Sequence, residues 1–293
     1  MREDTRRNAP IRYHTFVKLK DIPRALGLKS APREYPTEIE QLTLPGEGAI
    51  RFAHWLHPGE SRKSVTQESV DALRTFLRAG DAAIDIGAHT GDSTLPMALA
   101  VGRTGTVFAL EPNPYVFKVL ALNATLNPAS THIEPLMFAA MPEDGEFEFE
   151  YSDEGYCNGG FHQAVSAWKH GHFSKLRVQG RNLSAYLKAN APEALAKVRF
   201  VKIDTEGFDR SVARTLADVL KVSRPYLKTE IYKHMPTDER AGYFGDLRSL
   251  GYRLFKCADV EYRGEALREP GDLSKWRHFD VFAVPEELER DGS

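Results

Sequence analysis

Cysteine is nearly absent from this chain. Cys157 and Cys257 are the only two in 293 residues, far apart and in unlike contexts, with no C-x-x-C pair, so neither a disulfide framework nor a zinc knuckle is expected. No apolar run reaches the roughly 18 residues of a membrane span. The start, "MREDTRRNAPIRYHTFVKLK", is positive but lacks the apolar stretch of a secretory signal, so a cytoplasmic protein is expected. A basic excess is also missing: 39 Lys and Arg against 41 Asp and Glu leave a net charge of -2, which argues against a protein that tracks a nucleic-acid backbone. The phosphate-gripping glycine loops, G-x-G-x-x-G and the G-K-[ST] form, do not occur.

What is present is an ordinary globular composition, 42 % hydrophobic and 27 % charged, enough for one large α/β domain or two small ones. Residues 1 to about 45 carry prolines through charged sequence and read as an irregular arm, so residues 1–60 are expected to be an N-terminal arm or cap and 61–293 the main domain. "GAIRFAHWLH" (48–57) alternates like a strand. "TQESVDALRTFLRAG" offers Thr66 as an N-cap, an apolar face and Gly80 as a stop. From there strands and helices alternate. Strands are expected at 82–87, 105–112, 131–140 and 145–152, then at "KVRFVKID", "RPYLKTEIY", "GYRLFKC" and "RHFDVFAVP". Helices are expected at 92–101 and 114–127, then at "NLSAYLKANA", "DRSVARTLADVL" and "DERAGYFGDLRSL". A Gly- and His-rich loop fills about 153–180. This alternation implies an α/β fold with a mostly parallel sheet, helices on both faces and an antiparallel pair at one edge.

"AAIDIGAHTGDST" is the sharpest local signal. A short apolar strand ends in Asp85, and Gly87 and Gly91 permit a tight turn into a helix whose first N–H groups are free for a ligand. Glu111 ends the next strand in "VFALEP", about 20 residues on, where an acid binds ribose hydroxyls. A glycine turn and an acidic strand end without a phosphate grip suit a nucleoside ligand that has no pyrophosphate, such as S-adenosylmethionine.

The segments "IDIGAHTGDSTLPMAL…GTVFALEPNPYVFKVLALNATLN", "VKIDTEGFD" and "LKTEIY" closely resemble the FkbM-type methyltransferase family, over about residues 60 to 256. The resemblance implies a Rossmann-like seven-stranded sheet of the class I methyltransferase type, S-adenosylmethionine as cofactor, and O-methylation of sugars or natural products. His89 and Thr90 stand where the family usually has Asn and an aliphatic residue. The expected cofactor site is Asp85, Gly87, His89, Thr90, Gly91, Glu111, Pro112, Asn113 and Ala139.

"VRFVKIDTEGFD" places acids at the end of a buried strand, costly unless something there needs them. Asp204 is expected over the cleft near the transferable methyl group, while Lys202 alternates with Ile203 and so cannot share the face of Ile203. Glu206 is expected to cap the following helix or meet substrate, and Asp209 to be a solvated helix-start acid. Methyl transfer from a sulfonium discharges the cation, so an acid serving only the sulfonium would favour the ground state. Asp204 is better used on the acceptor hydroxyl, as orienter or base. Glu230, ending "LKTEIY", should share that rim, and the two carboxylates could hold a Mg²⁺ ion. His162 and His234 are the candidate histidine bases. His54, His57, His132 and His278 have bland readings. Tyr156, Asn158 and Phe161 in the 153–180 loop are expected to meet substrate, with Trp168 able to stack on a sugar ring.

The expected activity is O-methylation of a small-molecule hydroxyl, most simply a sugar or glycosylated metabolite. Methylation of an amine or carboxylate, a peptide terminus included, and nucleoside binding without catalysis are the rivals. No nucleic-acid partner is expected. The oligomeric state is open, with a homodimer as one option.

Overall fold

The first described residues form a strand that alternation does not reveal. In the computed structural model, which describes residues 34–151, 159–160 and 174–290, β1 (Thr37–Leu44) pairs antiparallel with β2 (Gly48–Trp55). β1 is exposed along most of its length, so its sequence carries no apolar stripe. This hairpin belongs to one compact unit that begins at Glu34. Asn123 clamps it: Ala53 N–H donates to Asn123 Oδ1 (2.6 Å), and Asn123 Nδ2 donates to the Ala53 carbonyl (3.0 Å). Asn127 makes the same reciprocal pair with Arg51.

Thr66 caps the helix Gln67–Arg74, accepting the Ser69 N–H. There follow β3 (Ala82–Ile86), the helix Thr94–Val101, β4 (Thr106–Leu110), the helix Pro114–Leu126 and β5 (Ile133–Leu136). The single strand expected at 131–140 is therefore two. β5 ends at Leu136, and β6 (Ala139–Ala140) joins a second sheet with β7 (Gly145–Tyr151), β8 (Gly159–Gly160) and β9 (Ser174–Arg181), in the order β6-β9-β7-β8. β9 occupies the end of what reads in sequence as a loop, because its alternation is of charge as much as of apolar groups.

The remaining strands are β10 (Val198–Ile203), β11 (Tyr226–Ile231), β12 (Tyr252–Cys257), β13 (Ala266–Leu267) and β14 (Phe279–Pro285). The main sheet runs β13-β12-β14-β11-β10-β3-β4-β5. β11, β10, β3, β4 and β5 are parallel, and β14 is antiparallel to both β11 and β12. Seven strands of this order make the expected Rossmann-like sheet, and the two-residue β13 adds an eighth at the edge.

All five residues of β3 are buried, as a central parallel strand covered on both faces requires. Ala82, Ile84 and Ile86 pack toward one core layer with Leu183, Val212, Leu220 and Leu247. Ala83 faces the other, with Leu73, Leu95 and Val101. The helix expected over 209–220 divides at Leu216 into Asp209–Thr215 and Ala217–Val222. Among the described residues, no helix is long and apolar enough to cross a membrane.

Candidate active site

Strand order reverses between β3 and β10: the chain runs from β3 outward to β4 and β5, then returns to β10 on the other side. At such a point the loops leaving the carboxyl ends diverge and open a crevice. A cavity of about 260 Å³ lies there, walled by Gly87, Glu111, Pro112, Asn113, Lys202 and Asp204, by Phe138 to Met141, and by Phe149 and Tyr151 of β7.

The turn after β3 shapes its floor. Gly87 has a φ of 78°, and a Cβ there would stand 1.9 Å from the Asp204 carbonyl oxygen. Glycine is needed because the end of β10 passes against it, not because a ligand does. His89 has a φ of 49°, a left-handed conformation that is costly for a side-chain-bearing residue. That conformation points its N–H at Glu111 Oε2 (3.1 Å), while the Asn113 N–H donates to Oε1 (2.9 Å). Glu111 is thus fixed by two backbone amides, and burial raises its pKa. A carboxylate has about four acceptor positions, so capacity remains for two hydroxyls from the cavity side.

Asp85 is placed differently from expectation. It is fully buried, accepts from the Ser93 and Thr94 hydroxyls at 2.7 Å each, and does not line the cavity. Thr90 and Gly91 also stand behind the lining. Gly91 has a φ of 95°, and the Thr90 carbonyl accepts from Asn123 (2.8 Å). Gly87, His89, Glu111, Pro112, Asn113 and Ala139 are brought together in the wall.

Across the cavity, strand register builds an ion cluster. Lys202 pairs with Asp85 in the β10–β3 ladder, so both side chains emerge on one face. Asp204, two residues on, shares that face. Lys202 Nζ lies 3.4 Å from Asp85 Oδ1 and 3.2 Å from Asp204 Oδ2. Burial works against the Lys202 charge, but Asp204 and Asp85 outweigh it and hold the ammonium protonated well above the ordinary lysine range. In return Lys202 holds the Asp204 carboxyl below its usual range. Asp204 is 46 % exposed, the most accessible member.

Asp209 corrects a second expectation. It is wholly buried, accepting from the Thr205 and Thr229 hydroxyls and from the N–H groups of Thr205, Gly207 and Glu230. Burial, with Asp204 adding to it, raises its pKa to about 7. Asp209 therefore organises the turn that Glu206 was expected to cap. The helix Asp209–Thr215 has no side-chain cap, and Glu206, at a φ of 54°, lines the cavity instead.

Glu230 lies behind the rim, with Oε1 2.6 Å from His278 Nε2, so His278 has a partner that its sequence context did not suggest. Burial, with Asp204, Asp209, Glu206 and Asp280 adding to it, raises the Glu230 pKa to about 9. The Mg²⁺ expectation at Asp204 and Glu230 does not fit this arrangement. Lys202 already balances Asp204, Glu230 is engaged by His278, and among the described residues no three His, Cys, Asp or Glu are grouped to hold a metal ion. His234, beside Tyr232, does not line the cavity. His162, Tyr156, Asn158, Phe161 and Trp168 lie outside the described residues.

Sequence reasoning missed Lys202, together with Glu60, Lys63, Asp92 and Ser93, which also line the cavity. A lysine between the buried Val201 and Ile203 was the available signal.

A seven-strand order with one reversed strand, a glycine turn and an acid closing β4 are the marks of the class I methyltransferase fold. Residues 85–257 match the family model of the Methyltransferase FkbM domain, and the chain belongs to that family. The ribosomal protein L11 methyltransferase of Bacillus licheniformis is 28 % identical over 99 residues, 34 % of this chain and 29 % of that protein. The chain thus matches under a third of that relative's length. Among solved structures, it is similar to a methyltransferase FkbM from Methylobacillus flagellatus (TM-score 0.43, 16 % identity, 70 % of this chain and 44 % of the other). A SAM-dependent O-methyltransferase from Thermotoga maritima is similar at a TM-score of 0.40 and 14 % identity, over 83 % of this chain and 76 % of the other.

Proposed function

We propose that this enzyme methylates the hydroxyl of a small molecule, a sugar or glycosylated metabolite, with Glu111 holding the cofactor ribose and Asp204 facing the acceptor. The residues present fit S-adenosylmethionine: Glu111 offers a preorganised anion for vicinal hydroxyls, and Phe138, Ala139 and Met141 an apolar wall for a purine. When bound, this cofactor supplies a methyl carbon made electrophilic by its sulfonium.

The carrying observation is the Asp204–Lys202 pair at the cavity wall. A carboxylate acceptor is already anionic, and Asp204 would repel it. An amine becomes cationic as it is methylated, and Lys202 would oppose that charge. A neutral hydroxyl suits both residues: Asp204 takes its proton as the methyl group is transferred, so the ether formed is neutral and gives Lys202 no charge to oppose. Asp204 is a weak base because Lys202 holds its pKa down. It suffices when the proton leaves late, since an oxygen that is gaining a methyl group becomes far more acidic than a carboxylic acid. Phe149, Tyr151 and Phe208 on the cavity wall supply apolar faces on which a sugar ring packs.

The test is transfer of labelled methyl from S-adenosylmethionine to a panel of glycosides, amines and carboxylates. A base-stable ether on a glycoside is expected. A base-labile ester, or label found only on amines, would overturn the reading, and absence of transfer to any acceptor would favour nucleoside binding without catalysis.

A further inference from the structure

The segment between the hairpin and the family domain reaches the same cavity. After β2 the chain turns, with the Glu60 N–H donating to the His57 carbonyl (3.0 Å), and Glu60 and Lys63 both join the cavity wall. Lys63 Nζ lies 3.0 Å from Glu60 Oε1 and 3.8 Å from Asp92 Oδ2. Glu60 Oε2 lies 3.8 Å from Nε2 of His89, the residue whose backbone amide holds Glu111. The charged set therefore adjoins the acid assigned to the ribose.

An exposed i,i+3 ion pair would carry little meaning. This one is not exposed: the Glu60 side chain is 7 % accessible and that of Lys63 30 %. Its sign content also selects among ligands. A phosphate would need an excess of cation, whereas one lysine stands here between two carboxylates. An α-amino acid carries an ammonium and a carboxylate on one carbon, and a carboxylate beside an ammonium is its complement.

We propose that Glu60 and Lys63 form the subsite for the amino-acid end of S-adenosylmethionine, Lys63 taking its carboxylate and Glu60, with Asp92, its ammonium. The proposal rests on the cofactor reading of the cavity given above and extends it. Both residues precede the matched segment 85–257, so the cofactor site is completed by chain outside the family domain. The clamp of Asn123 on Ala53 then has a functional sense, because it fixes the hairpin from which this segment departs.

Titration calorimetry of the full chain with two ligands tests this. S-adenosylhomocysteine carries the amino-acid end; 5′-methylthioadenosine shares the nucleoside and lacks it. Lys63→Met and Glu60→Gln should each weaken S-adenosylhomocysteine about 10- to 100-fold, the worth of one bond to a charged group. Affinity for 5′-methylthioadenosine should stay within about twofold, which also reports that each variant is folded, and Lys63→Arg should restore most of the loss. Equal losses for both ligands, or unchanged S-adenosylhomocysteine affinity, overturn the proposal. Wild-type protein binding both ligands equally overturns the proposal and leaves the cofactor reading standing. Wild-type protein binding neither removes both.

Discussion

The two halves of the cavity treat carboxylates in opposite ways. Beside β3 and β4, Asp85 and Glu111 receive donors that cannot move far: two hydroxyls at the start of a helix for one, two backbone amides for the other. Beside β10 and β11, Asp204, Asp209 and Glu230 crowd one another, and their pKa values spread from below the usual range to about 7 and about 9. The first half holds its acids in place through short local hydrogen bonds, the arrangement the proposed cofactor site calls for. The second gathers acids whose protonation differs from one to the next, Asp204 alone of the three lining the cavity. Lys202 joins the halves, touching Asp85 on one side and Asp204 on the other.

The harshest way to break the division is to push the halves apart. Gly87→Val would drive a side chain into the Asp204 carbonyl at a φ of 78°. A loss of about 4 kcal/mol or more is expected, read as a large fall in the midpoint of thermal unfolding. Next comes the link itself. Lys202→Met leaves Asp85 buried without a cation, at a cost of about 3–5 kcal/mol. The lowered Asp204 pKa contributes stability that is present above the ordinary aspartate range and lost as pH falls through the folded value. Without Lys202 that pKa rises, so the acid limb of kcat/KM should move to higher pH. A stability loss with an unmoved pH profile would show Lys202 to be structural only.

Asp204→Asn sharpens the comparison on the reactive side. It keeps the shape and removes the base, so turnover should fall roughly 10²–10⁴-fold in a labelled-methyl assay. Normal turnover would leave the strand-end acid without a chemical role.

Legibility followed the range of the contacts involved. The turn with Gly87 and the acid at Glu111 could be read because strand, glycine and acid lie within one βαβ stretch. Lys202 could not, since its meaning comes from the β3–β10 register that sets it beside Asp85. Asp209 was misread for a related reason: its burial depends on Thr229 and Glu230 of β11, and nothing in "EGFDRS" announces them. β1 escaped notice because a mostly exposed strand needs no apolar stripe. Strands and helices of the sheet itself followed from periodicity, with errors where Leu136 and Leu216 end elements early.

A smaller effect isolates one buried acid of the second half. Asp209 is protonated more readily folded than unfolded, so its contribution to stability falls as pH rises between about 4 and 7. Asp209→Asn removes that dependence and misplaces an amide against several donors, at a cost of about 1–3 kcal/mol. Chemical denaturation across this range should show the variant's deficit shrinking as pH rises. A deficit that grows with pH would mean Asp209 is ionised throughout.

The central claim is the division of labour between Glu111 and Asp204, and one calorimetric comparison reaches it most directly. Affinity for S-adenosylhomocysteine is measured in Glu111→Gln and Asp204→Asn side by side. The division predicts that Glu111→Gln loses about 1.5–3 kcal/mol of binding for each ribose bond weakened, while Asp204→Asn binds within a few-fold of the wild type. Full affinity in Glu111→Gln together with lost binding in Asp204→Asn would contradict it and reverse the two halves of the cavity.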